Sequence, residues 1–111
     1  MVMLRSNPFG GTARTRVLVA LRLLEESYAR ELSRVLGSSL SGVQTALRGL
    51  ERDGLIAGRS IGRTRVFRFD PGYFALAELR AYLVRLSANE PSLVKAAQNL
   101  RRRPRRTGKP M

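Results

Sequence analysis

At Asp53-Gly54 the hydrophobic pattern of the chain changes its period, and this change limits the folds that the sequence can adopt. Before this point, apolar residues recur every three or four positions, which indicates amphipathic helices. After it, polar and apolar residues alternate from Thr64 to Phe69, which indicates a half-buried strand. The sequence therefore predicts a mainly α-helical chain with one small β-hairpin.

Three helices are predicted before the change of period. The first begins at Thr12, and its apolar stripe consists of Val17, Leu18, Leu21 and Leu24. The second is expected to begin at an N-cap Ser27, whose hydroxyl can accept from a free backbone N–H, and to end at Gly37. The third is expected to begin at an N-cap Ser39, or alternatively at a capping box of Ser41 with Gln44, and to end at Gly54. Two helices joined by a short turn with glycine have the sequence form of a helix-turn-helix.

A β-hairpin is predicted directly after the third helix. Its strands are residues 55–57 and 64–69, and the glycines within residues 58–62 place the turn in that segment. Phe67 and Phe69 alternate with polar residues of the second strand, so we expect them in the core. The alternative is that these two rings stack on nucleic-acid bases. The tripeptide at residues 70–72, Asp-Pro-Gly, ends the hairpin.

Residues 71–102 are predicted to form two further helices with leucines at helical spacing. These leucines either pack on the first helix or pair with a second subunit. Because a three-helix core cannot cover both C-terminal helices fully, we predict a homodimer. Its expected interface consists of Leu76, Leu79, Leu83, Leu86, Leu93 and Leu100.

The order of helix, helix-turn-helix, basic hairpin and helix resembles a known family. The segments that carry the resemblance are ARELSRVLG, SGVQTALRGLERDGLI and GRTRVFRFDP. They are similar to the winged helix-turn-helix of ArsR-like transcriptional regulators, and also to small winged-helix modules found beside nucleotidyltransferase domains. The resemblance covers residues 12–88 and implies a three-helix core, a wing, C-terminal helices and binding of double-stranded DNA. The chain lacks every Cys and His ligand of the metal-sensing members, so metal-responsive release is not expected.

The resemblance and the composition together divide the chain into four segments. We expect a flexible arm at residues 1–11 and a winged helix-turn-helix domain at residues 12–70. C-terminal helices for dimerisation follow at residues 71–102, and a disordered basic tail at residues 103–111.

The formal net charge of +13 favours a polyanionic partner. Residues 101–111 contain six basic residues and no acid, so much of this charge lies at the C-terminus. A membrane partner is not expected, because the longest purely apolar run, residues 17–21, is far shorter than the ~20 residues that span a bilayer. Double-stranded DNA is the expected partner, and a cytoplasmic location is predicted.

The predicted DNA-binding residues lie on three elements. The third helix, at about residues 39–53, is expected to enter the major groove with its outward side chains. Those residues are Ser39, Ser41, Gly42, Gln44, Thr45 and Arg48. The wing, at about residues 58–66, is expected to contact phosphates or the minor groove through Arg59, Arg63 and Arg65. The N-terminus of the second helix adds Ser27, Tyr28 and Arg30, where free N–H groups favour phosphate. Alternatively, Ser27 only caps its helix and Tyr28 packs in the core.

These observations favour a sequence-specific transcriptional regulator, a repressor that occludes a promoter. The alternatives are a protein-interaction module, such as an antitoxin-like partner of a nucleotidyltransferase, and an RNA-binding basic protein. An enzyme is not expected, because the chain has no His or Cys for general-base or thiol chemistry. Glu25 and Glu26 are expected side by side on a helix and not facing one another. Neither a cofactor nor a metal ion is expected.

Overall fold

The computed structural model describes residues 9–102, so the predicted tail at 103–111 and most of the predicted arm at 1–11 lie outside the described residues. Residues 9–102 form five helices and a three-stranded antiparallel sheet, which confirms a mainly helical chain with a small β element. The helices are α1 (Thr12–Leu24), α2 (Ala29–Leu36), α3 (Leu40–Arg52), α4 (Leu76–Ser87) and α5 (Pro91–Arg102). The strands are β1 (Glu26–Tyr28), β2 (Ile56–Ile61) and β3 (Thr64–Phe69).

Helix α1 lies at the centre of the core. The predicted stripe of Val17, Leu18, Leu21 and Leu24 is buried, and so are Val19 and Ala20. The reason is that α2, α3, α4 and α5 all pack against this one helix. A helix that is covered on most sides must be apolar on most sides, which explains the uninterrupted run at residues 17–21. None of the helices within residues 9–102 combines the length and the hydrophobicity that crossing a membrane requires.

Arg14 ties α1 to the C-terminal end of α3. Its Nη1 donates to Asp53 Oδ2 at 2.9 Å and to the carbonyl oxygen of Phe9 at 3.3 Å. On this path the guanidinium crosses the buried Gly49, where a Cβ atom would lie 2.6 Å from Arg14 Cζ. Gly49 therefore leaves the space through which the Arg14 side chain of α1 passes over α3 to reach Asp53.

The start of α2 differs from the prediction. Its N-cap residue is Tyr28 and not Ser27, because Ser27 belongs to strand β1 and is 2% exposed. The Ser27 hydroxyl donates to Glu31 Oε1 at 2.7 Å. Glu25 follows α1 with a φ of 71°, and Glu26 begins β1, so the expectation that both acids lie on a helix is wrong.

The end of α2 and the start of α3 confirm the predicted boundaries. Gly37 follows α2 with a left-handed φ of 65°, a conformation that glycine adopts without strain. Ser39 is the N-cap of α3, since its Oγ accepts a hydrogen bond from the N–H of Gly42 at 3.1 Å. The segment between the two helices is therefore only three residues long, at residues 37–39.

Strand β3 lies in the middle of the sheet, between β1 and β2. Ser27 and Gly58 both pair with Phe67, one from each side. The predicted turn at residues 58–62 is wrong in its extent, because β2 continues to Ile61 and only Gly62-Arg63 forms the turn. Gly62 has a φ of +64°, which suits the first central position of a two-residue hairpin turn. Phe67 and Phe69 are buried, which confirms that they belong to the core.

The leucines of the C-terminal helices pack inside the chain itself. Leu79, Leu83 and Leu93 are at most 6% exposed. The other three leucines of the predicted dimer interface are partly buried and pack against the same core: Leu76, Leu86 and Leu100. Because α4 and α5 both pack on α1, the buried Leu79, Leu83 and Leu93 are covered within one chain, which corrects their predicted placement in a dimer interface. For the other three leucines, that placement stays a prediction.

Candidate nucleic-acid interface

A groove of about 620 Å³ lies between the N-terminus of α2, helix α3 and the β2–β3 hairpin. We call it the α3–hairpin groove. Six of the predicted DNA-binding residues line it, although they come from three separate elements: Tyr28, Arg30, Gln44, Arg48, Arg63 and Arg65. The fold thus brings together half of the residues that the sequence indicated for this role.

The α3–hairpin groove carries a positive charge. The described residues that line it include four arginines and one glutamate, Glu51. Glu51 Oε2 lies 2.6 Å from Arg65 Nη2, so this acid is already paired. Arg30, Arg48 and Arg63 are exposed and form no ion pair within residues 9–102. Their guanidinium groups can therefore donate to phosphate oxygens or base edges.

The outward face of α3 is open to solvent from its N-cap to Arg48. All six predicted residues there are exposed: Ser39, Ser41, Gly42, Gln44, Thr45 and Arg48. Arg48 Nη2 donates to Thr45 Oγ1 at 3.3 Å, a contact that directs the guanidinium along the helix surface. Gln44 and Arg48 line the groove, while the other four residues, which include the N-cap Ser39, are exposed but do not line it.

Arg65 reaches Glu51 through a space that glycine leaves on the neighbouring strand. A Cβ atom at Gly58 would lie 2.8 Å from Arg65 Nε and 2.9 Å from Phe67 Cε1. The guanidinium Cζ also lies 5.7 Å from the centroid of the Phe67 ring, within cation–π distance. Sequence reasoning missed the role of Gly58, because it placed this glycine in the turn and not in a strand.

Arg59 lies outside the groove, because it projects from the opposite face of the sheet. Successive side chains of a strand alternate between faces, and residues paired across strands share a face. Arg59 pairs with Val66, whereas Arg65 pairs with Ser60, so the two arginines point to opposite sides. Arg59 Nη2 lies 3.0 Å from Glu26 Oε2, and this ion pair crosses β3 to reach β1.

Of the three predicted residues near the start of α2, two line the groove and one is buried. Tyr28 is half-buried and lines the groove, and Arg30 is exposed beside it. Ser27 is buried, and its hydroxyl is engaged with Glu31, so it does not face the solvent. The interpretation of Ser27 as a DNA contact is therefore corrected, and so is its interpretation as a helix cap.

Comparison of the chain with protein-family models, with curated proteins and with solved structures gave no match. The residues of the α3–hairpin groove, with their exposure and their charges, therefore carry the assignment of function. Their arrangement offers three unpaired guanidinium groups and one amide on a single concave surface.

Proposed function

We propose that this chain binds double-stranded DNA through the α3–hairpin groove and acts as a transcriptional repressor. The observation that supports this most strongly is the convergence of Gln44, Arg48 and Arg63 on one groove from two separate elements. In this proposal α2 and α3 are a helix-turn-helix, and β2 and β3 are the wing of a winged helix-turn-helix.

Helix α3 is proposed to read base edges in the major groove. Gln44 can pair with adenine and Arg48 with guanine, each through two hydrogen bonds. Both side chains are exposed, and they are the fifth and ninth of the 13 residues of α3. The spacing of four residues places them one helical turn apart on the same face.

The wing and the start of α2 are proposed to hold the DNA backbone. Arg63 lies in the turn of the hairpin beside Gly62, is exposed and lines the groove. Arg30 lies in the first turn of α2, where free backbone N–H groups also favour a phosphate. Contacts of this kind fix the position of a protein on DNA, while the contacts of α3 specify the sequence. Occupation of a promoter by such a unit blocks the polymerase, which makes repression the simplest outcome.

A competition experiment tests the proposal against its alternatives. A labelled duplex is bound by the full chain and then displaced with unlabelled duplex or with structured RNA. We expect duplex DNA to be the better competitor, and the variant R30A/R48A/R63A to lose binding. The matched control R68A/K95A/R101A removes three exposed basic residues outside the groove and should retain most of the affinity.

Two results would contradict the proposal. If structured RNA displaces the duplex at lower concentration, the chain is an RNA-binding protein. If the groove variant and the control lose affinity equally, binding follows net charge alone, and the groove has no particular role.

A further inference from the structure

The guanidinium of Arg48 contacts a hydroxyl on the preceding turn of α3. Its Nη2 donates to Thr45 Oγ1 at 3.3 Å, and this hydroxyl is the only hydrogen-bond partner of the Arg48 side chain within residues 9–102. Both residues are exposed, but Arg48 lines the α3–hairpin groove and Thr45 does not. Long side chains of a helix point back toward its N-terminus, so the residue three positions earlier is a natural neighbour of this guanidinium.

The acid that could compete for Arg48 is engaged elsewhere. Glu51 follows Arg48 by three residues, a spacing at which an acid and a base pair on a helix surface. However, Glu51 Oε2 lies 2.6 Å from Arg65 Nη2, and Arg48 forms no ion pair within the described part of the chain. Because Arg65 binds this carboxylate, the Arg48 guanidinium contacts the uncharged Thr45 instead. Its positive charge is therefore not neutralised by a neighbouring acid.

A guanidinium with a fixed orientation distinguishes bases better than a mobile one. The group is planar and has five N–H donors, of which the contact with Thr45 uses one. Pairing with guanine needs two further donors in the plane of the base. An arginine side chain loses rotamer freedom when it forms such a pair, and a contact that already restricts the side chain lowers this entropic cost.

We propose that Thr45 is a positioning residue, which sets the base preference of α3 by orienting the Arg48 guanidinium. The inference rests on the proposed function, and it gives Thr45 a role that differs from the direct DNA contact predicted from the sequence. The Thr45 hydroxyl acts through Arg48, since Thr45 itself does not line the groove. The net contribution of one hydrogen bond corresponds to a change of about two- to tenfold in an equilibrium constant.

Affinities of the full chain for a set of related duplexes test the proposal. The set consists of a duplex selected with the wild-type chain and its three variants at the base pair where R48A loses preference. We expect T45V, which replaces the hydroxyl by a methyl group, to lower the discrimination at this base pair by about two- to tenfold. Discrimination at the other base pairs should stay unchanged. T45S keeps the hydroxyl and should retain the wild-type preference, and thermal melting should show that all variants keep the fold.

The R48A background separates positioning from a direct contact of Thr45 with DNA. In this background T45V should have no further effect on any duplex, because the group that Thr45 orients is absent. Three results would each overturn the proposal: an unchanged preference in T45V, the same loss in T45S as in T45V, or the same effect of T45V with and without Arg48.

The same measurements distinguish this proposal from the proposed function. A wild-type chain that prefers none of the duplexes contradicts both the proposed function and the role of Thr45. A preference that R48A loses and T45V keeps contradicts only the role of Thr45.

Discussion

Arg65 Nη2 lies 2.6 Å from Glu51 Oε2, and this ion pair joins the β2–β3 hairpin to the C-terminal half of α3. The pair holds the proposed wing against the proposed recognition helix, so that their exposed arginines face one groove. Both side chains are partly exposed, at 49% and 33%. At such sites an ion pair contributes only ~0–1 kcal/mol to stability, so its main effect is on position and charge.

Glu51→Gln is expected to strengthen the electrostatic part of DNA binding. The substitution removes the acid from the groove and frees Arg65 for a phosphate. One additional phosphate contact steepens the slope of log K against log salt by about 0.9. Titrations by fluorescence anisotropy over a salt series measure this slope. The control E25Q changes the acid of a second 2.6 Å pair, with Arg80, away from the groove and should leave the slope unchanged. A flatter slope for E51Q would show that the ion pair itself is needed for binding.

Arg63→Ala and Arg48→Ala are expected to weaken binding in different ways. Without the phosphate contact of Arg63, the salt slope should become less steep by about 0.9, with similar losses on all sequences. Without a base contact of Arg48, the preferred sequence should lose ~1–3 kcal/mol while nonspecific binding changes little. Affinities for a preferred and a scrambled duplex measure both effects. Equal losses of both variants on both duplexes would contradict these roles.

Gly58→Ala is expected to destabilise the chain and to disturb the wing. The added Cβ would lie within 3 Å of Arg65 Nε and Phe67 Cε1, so at least one of these side chains must move. Overpacking of this kind costs about 1–3 kcal/mol. Urea unfolding measures the loss, and S60A, at an exposed position of the same strand, serves as the control.

The double variant G58A/R65A resolves the source of that loss. With the Arg65 side chain removed, only the contact with Phe67 remains, so the substitution at position 58 should cost less. A double-mutant cycle gives the coupling between the two positions. Zero coupling would mean that Arg65 does not pass over Gly58.

Gly49→Ala should fail to stabilise α3, although alanine favours helices by about 1 kcal/mol over glycine. A side chain at this position meets the guanidinium of Arg14 and displaces it from Asp53. In an R14A background the obstacle is absent, so G49A should then stabilise the chain by up to ~1 kcal/mol. Thermal and urea unfolding of the four chains provide the comparison. Equal effects of G49A in both backgrounds would exclude the crossing of Arg14 over Gly49.

Local patterns predicted the five helices and both strands of the hairpin. The five helices follow from apolar spacing, and the N-cap at Ser39 and the stop at Gly37 follow from short-range chemistry. Strand β1 was missed, because three residues are too few to show alternation. Its position depends on pairing with β3, which lies about forty residues later in the chain. The error at Ser27 has the same origin.

Tertiary packing also decided what the sequence left open at the proposed site. The pattern placed Arg59 and Arg65 together on the wing, whereas the register of the sheet sends them to opposite faces. The spacing of the leucines in α4 and α5 did not decide whether they pack in the core or against a partner subunit. In the structure both helices pack on α1, and Leu79, Leu83 and Leu93 are buried. The roles of Gly49 and Gly58 depend on arginines from neighbouring elements, which no local pattern shows.

Selection of bound sequences from a random duplex library tests the central claim most directly. With the wild-type chain we predict enrichment of one defined sequence, and with R48A the loss of preference at a defined base position within it. The control R68A should enrich the same sequence as the wild type. Bound pools without any enriched sequence, or the same sequence undiminished with R48A, would contradict the claim that α3 reads DNA from the α3–hairpin groove.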